Sequence, residues 1–122
     1  MNSAPFAYEG LERIFHERGR LAVCTALVAA DAAMSFKALQ DACALTDGNL
    51  NRHLHALAEM EIVEIERVRG NGRPTTLVHI TESGRARFLG YIDELEAVVR
   101  AVQNSSARER TVTSFGRLAA QP

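Results

Sequence analysis

Four histidines, two cysteines and a run of exposed-type amides and arginines are the residues of this 122-residue chain whose chemistry could define a site. His16, His53, His55 and His79 are scattered along the sequence. His53 and His55 stand two apart and face different directions on a helix, unlike a metal-binding pair at i and i+4. Cys24 and Cys43 form no CxxC pair, and each falls on an apolar helical face, where an inert buried thiol is expected rather than a redox switch. No nucleophile motif, phosphate loop or suitably set carboxylate pair is present. Glu59, Glu61, Glu64 and Glu66 read as a solvated acidic face. Catalysis, a metal and a cofactor are therefore not expected. What does stand together is Asn49, Asn51, Arg52 and His55. Asparagine can pair with adenine through both halves of its amide, and arginine can grip guanine with its fork.

The charge balance neither demands nor forbids such a role. Fourteen basic against fifteen acidic residues leave a net charge of -1. That excludes a histone-like polycation but permits a localised basic face. Lys37 is the only lysine among the cations. The arginine bias suits two-point recognition of guanine or phosphate, although a GC-rich genome would produce it with no functional cause. With 47% hydrophobic and 24% charged residues the chain can bury a core without disulfides or a structural metal. Leu21 to Ala30, the longest apolar stretch, falls short of the roughly 20 residues a membrane span requires. Met1 to Gly10 lacks the layout of a secretory signal, so a cytoplasmic location is expected.

The elements that must position those residues follow from periodicity. Tyr8, Leu11, Ile14 and Phe15 recur at helical spacing and predict a short first helix, interrupted at Gly19. Arg20 to Ala30 predicts a second, with Leu21, Cys24, Leu27 and Val28 inward. Ser35 can cap a third, which turns Phe36, Leu39 and Cys43 inward and ends near Leu45. Thr46, Asp47 and Gly48 read as a tight turn and fresh N-cap. The fourth helix carries Leu50, Leu54, Leu57 and Met60 inward and ends near Glu61. The period then becomes two: Ile62 to Arg69 and Thr75 to Ile80 predict strands joined across the turn formers Gly70 to Pro74. Thr81 can cap a last helix whose Phe88, Ile92, Leu95, Val99 and Val102 follow a four-three seam.

Helix, helix, helix, tight turn, helix, hairpin, helix is the layout of a winged helix-turn-helix: mainly α, with a small β-hairpin wing and a long C-terminal helix. The run Leu45 to Phe88, LTDGNLNRHLHALAEMEIVEIERVRGNGRPTTLVHITESGRARF, resembles the compact MarR/ArsR-type winged-helix transcriptional regulators. It is similar to them in its DGNLxRHLxxLxxxxxV recognition segment and in a wing ending GRPxTxxxxTxxGR, and the likeness extends over roughly Leu11 to Val102. The expected organisation is an N-terminal arm (1–9), a winged-helix domain (10–102) whose final helix (81–102) dimerises, and a polar, mobile tail (103–122).

A helical wheel identifies the residues able to read DNA. With Leu50, Leu54 and Leu57 inward, Arg52, His55 and Glu59 point outward, and Asn49 and Asn51 flank them. His53 lies nearer the buried edge and reads as a packing residue. Because Glu59 would repel phosphate, only the first two turns should approach the groove. Thr46 and Lys37 are phosphate candidates. Arg67, Arg69 and Arg73 surround the wing tip with Asn71, close enough to follow the backbone or enter a minor groove. Asn71 with Gly72 also reads simply as a tight hairpin turn.

The seam of the last helix exceeds what one short helix can cover, so part of it is expected to pack within the chain and part against a second copy. The resemblance likewise implies a homodimer built from terminal helices, with Tyr8, Leu11, Phe15, Phe88, Ile92, Leu95, Val99 and Val102 at the interface. Two recognition helices would then lie about 34 Å apart on double-stranded DNA, reading a palindromic operator. A protein-binding winged helix is the rival, favoured by the four glutamates. Against it, the exposed helix face offers polar groups rather than aromatic or aliphatic anchors. Larger MarR-like proteins bind small aromatic effectors, but no pocket signature transfers that property, and a small-molecule or protein effector stays open.

Overall fold

The computed structural model of this chain describes residues 4–70 and 72–120, with side chains described through Ser105. Its helices are α1 (Arg18–Ala30), α2 (Phe36–Cys43), α3 (Asp47–Glu59) and α4 (Glu82–Ala120). Its strands are β1 (Met34–Ser35), β2 (Val63–Gly70) and β3 (Arg73–Ile80), forming one antiparallel sheet in the order β1-β3-β2. The two-residue strand β1, which pairs Met34 with Val78 and Ser35 with Leu77, is too short to leave a period-two signal in the sequence.

Capping chemistry sets the helix boundaries. Glu17 accepts from the Arg20 N–H at 2.9 Å to open α1, Ser35 accepts from Ala38 N–H at 3.0 Å to open α2, and Thr46 accepts from Asn49 N–H at 3.2 Å to open α3. Asp47 and Gly48 are thus the first turn of α3 rather than a separate turn before it. Asp31 and Ala44 close α1 and α2 in the left-handed region, at φ 54° and 55°.

The predicted first helix is largely absent. Only Arg13–Phe15 forms a 3-10 turn, and Tyr8 sits at φ 50°. The chain breaks at His16 and Glu17, and Gly19 lies inside α1, buried under the ring of His53. Periodicity found the apolar contacts here but not the backbone path, because eight residues do not sustain an isolated helix.

Phe15, Val23, Cys24, Leu27, Leu39, Leu50, Leu54, Leu57, Ile62, Val63, Val78, Phe88 and Tyr91 form the core. Met60, expected inward, is 43% exposed because α3 ends at Glu59 and the chain turns through Glu61 at φ 61°. α4 is locked to this junction. Thr81 Oγ1 donates to Glu61 O and accepts from Gly84 N–H, while a Cβ on Gly84 would lie 2.7 Å from Ile62 Cα.

Along α4 the aromatic pair Phe88 and Tyr91 enters the core, with ring centroids 5.3 and 5.5 Å from Phe15. Tyr91, which the four-three seam passes over, satisfies its hydroxyl on His16 Nδ1 at 2.8 Å. The backbone of α4 continues to Ala120, through most of the segment expected to be a mobile tail; side chains beyond Ser105 and residues 121–122 lie outside the described residues, as do Met1–Ser3 of the expected arm. Among the described residues no helix is long and apolar enough to cross a membrane.

Candidate nucleic-acid interface

The buried stripe Leu50, Leu54 and Leu57 fixes which way α3 faces, and His53 at 3% exposure joins it as the wheel predicts. Asn49, Asn51, Arg52 and His55 are left on the exposed side. Two hydrogen bonds order this surface. Arg52 Nη2 donates to Asn49 Oδ1 at 3.0 Å, and the His55 ring bonds the backbone carbonyl of Asn51 through Nδ1 at 2.9 Å.

The wing stands beside that face. Val63 pairs with Ile80 and Gly70 with Arg73, leaving a two-residue link whose Gly72 takes φ 84°, a conformation that glycine adopts without strain. Because successive strand residues alternate faces, Ile65, Arg67 and Arg69 share one side of β2 while Glu64 and Glu66 share the other. The first side is turned toward α3: Ile65, Arg67 and Thr76 line a cleft of about 430 Å³ with Phe36, Asn51, Leu54 and His55. On the opposite side Glu64 is engaged with His79 at 2.8 Å.

Arg67, Arg69 and Arg73 are exposed, and among the described residues none has an ion-pair partner, so their charge faces solvent undiluted. Lys37, also exposed, is paired with Asp41 at 3.3 Å. Thr46 spends one of its two oxygen lone pairs on the α3 cap and keeps its hydroxyl proton to donate. Gln40 Nε2 donates to Asp47 Oδ1, tying α2 to the start of α3. Asn71 lies outside the described residues. The apolar floor of the cleft, Phe36 with the 41% exposed Ile65, was not foreseen; its only sequence trace is an isoleucine flanked by glutamates in a strand.

Burial pushes the Cys24 thiol up to about 12, and burial also raises Cys43, so both are held protonated. Among the described residues no cluster of three His, Cys, Asp or Glu could hold a metal.

The family model described as "Winged helix DNA-binding domain" matches residues 20–99. The chain belongs to that family. Its fold and family are those of transcriptional regulators rather than enzymes. An uncharacterized protein of Methanocaldococcus jannaschii, MJ0432, is 42% identical over 60 residues, 49% of this chain and 65% of the relative, so the match spans just under two thirds of that protein. A transcriptional regulator homologue of Pyrococcus horikoshii OT3 superposes with a TM-score of 0.74 at 26% identity, covering 81% of this chain and 98% of that one. A regulator of Porphyromonas gingivalis W83 assigned to the MarR family shares the fold at a TM-score of 0.59 and 15% identity, over 80% and 92% of the two chains. The winged-helix fold is thus shared with that MarR-family regulator.

The interface expected for a dimer needs correction at two positions. Phe15 and Phe88 are 0% and 2% exposed within this chain alone, so they have no surface left to give a second copy. Leu11, Ile92 and Leu95 pack in part on the same core, and Tyr8 is half-buried. Exposed apolar surface on α4 lies at Leu89, Val99 and Val102, the last two being 48% and 59% accessible.

Proposed function

We propose that this winged-helix protein is a sequence-specific transcriptional regulator that binds a palindromic operator as a homodimer, placing α3 in the major groove and the wing along the neighbouring backbone. The observation that carries the reading is the shared orientation of two surfaces. The amide and arginine face of α3 and the exposed wing arginines Arg67 and Arg69 lie on one side of the molecule, and Glu64 and Glu66 are turned to the other. Cations gathered on one side supply non-specific phosphate affinity, and Asn49, Asn51, Arg52 and His55 supply base contacts. Thr46, Lys37 and Arg73 are assigned to phosphates, and Asn71 to the wing tip with them.

In this reading residues 10–102 form the DNA-binding unit, and α4 from Glu82 onward also carries the dimer contact through Val99 and Val102, with Leu95 and Ile92 at its inner edge. Of the four glutamates that would favour a protein partner, Glu64 and Glu66 sit on the face of β2 turned away from α3, while Glu59 ends α3 and Glu61 follows it in the turn.

The test is selection of duplexes from a random pool, then affinity for the winner and for a scrambled duplex across salt. An inverted repeat enriched with salt-sensitive affinity is expected; absence of both enrichment and salt-sensitive binding overturns the reading.

A further inference from the structure

We infer that His55 selects an amino-bearing base, adenine through N6–H or cytosine through N4–H, by accepting a hydrogen bond at Nε2. The inference rests on the DNA-binding reading above and adds to it a direction for one contact.

The ring's protonation is fixed by its partner. The group 2.9 Å from Nδ1 is the backbone carbonyl of Asn51, which can only accept, so Nδ1 must carry the proton. In the neutral ring Nε2 is then a bare acceptor. Since Nδ1 is turned back to the helix backbone, the edge bearing Nε2 is turned away from it, and among the described residues nothing hydrogen-bonds to Nε2. His55 lines the cleft between α3 and the wing, over a floor of Phe36, Leu54 and Ile65. That apolar floor lowers the local dielectric and sharpens a hydrogen bond made at its rim.

The charged groups around His55 are donors. Arg67 from β2 is the charged residue across the cleft and can only donate; Thr76 is contributed by β3 and Phe36 by α2. On its own helix Arg52 is a donor too, and Asn49 has one oxygen lone pair committed to Arg52. The two arginines of this face thus favour guanine N7 and O6 or thymine O4, while the amide of Asn51, in the same cleft, both donates and accepts. A histidine held as acceptor reads the complementary pattern, which those donors reject.

The experiment is the same random-pool selection, run at pH 8, on the wild-type protein and on His55→Ala, His55→Gln and His55→Lys. The wild type is expected to enrich adenine or cytosine at one position in each half-site. His55→Gln, whose amide oxygen can accept, keeps that preference; His55→Ala flattens it; His55→Lys, a donor only, turns it to guanine or thymine.

Replacing the selected adenine with purine, or the cytosine with 2-pyrimidinone, deletes the amine and is expected to weaken wild-type binding about 5- to 30-fold. The same replacement should leave His55→Ala binding unchanged. If the wild type enriches an operator and His55→Ala and His55→Lys enrich the identical one, the inference falls while the DNA-binding reading stands. If the wild type enriches nothing, both fall. Because His55 is exposed, melting curves of the variants are expected to match the wild type, which separates a lost contact from a lost fold.

Discussion

The imidazole of His53 lies so close over the backbone of Gly19 that a Cβ at the glycine would sit 2.6 Å from ring carbon Cδ2. This contact is where α3 meets the start of α1. Gly19→Ala forces one helix off the other and is expected to cost about 1–3 kcal/mol as overpacking. Urea titration of the single variants and of Gly19→Ala with His53→Ala reads the coupling. Deleting the ring should remove most of the alanine's penalty, and additive losses would show that the two residues do not meet.

The same histidine makes stability depend on pH. Burial pushes the His53 pKa below its ordinary value and outweighs the Glu17 carboxylate 3.6 Å away, with Arg52 and Arg20 acting in the direction of burial. The unfolded chain therefore binds this proton more readily than the folded one. The contribution is complete above the ordinary value of 6.5 and declines as pH falls below it, through the depressed folded value.

Glu17 follows at lower pH. Burial raises it, but the N–H of Arg20, the charges of His53 and Arg20 and the N–H of Gly19 together hold it below 4.5, so its contribution is lost on further acidification. Urea midpoints of wild type should fall from pH 7 toward 5. In His53→Leu the fall is expected to begin only where carboxylates titrate, and an unchanged profile would remove His53 as its origin.

The orientation of the candidate surface was legible because helical and strand periods are strong signals when one face is buried. Leu50, Leu54 and Leu57 are enough to orient Arg52 and His55 outward, and Thr46, Ser35 and Thr81 mark helix starts by capping chemistry that needs no tertiary information. What failed was set by tertiary contact. Tyr91 enters the core because Phe15 and His16 receive it, and neither lies within reach along the sequence. Met60 keeps the inward spacing, yet α3 has already ended. The cleft under Ile65 needs α2, α3 and the sheet together, so no local pattern announces it.

The two faces of β2 make a further test of the wing. Arg69 follows Arg67 on the side turned toward α3 and, among the described residues, has no ion-pair partner. Arg69→Ala is expected to weaken operator and scrambled duplex alike and to reduce the slope of log affinity against log salt by about 1. Glu66→Gln, on the opposite side, should leave that slope unchanged. Equal slopes for wild type and Arg69→Ala would place the arginine away from phosphate.

The proposed dimer contact is tested best where the monomer has not already used the surface. A charge at Leu95 would confound two effects, since that side chain packs partly on the chain's own core. Val99 and Val102 are exposed, stand three residues apart on α4 and lie outside the core. A glutamate at each adds like charge where two symmetric copies would meet, and desolvating it opposes association. Val99→Glu with Val102→Glu is expected to shift sedimentation from dimer to monomer while the circular dichroism of the fold persists. Operator affinity should fall toward that of one half-site, with the base preference within the half-site retained. A variant that sediments as a dimer would move the interface off this part of α4, to the surface around Leu89 or the N-terminal arm.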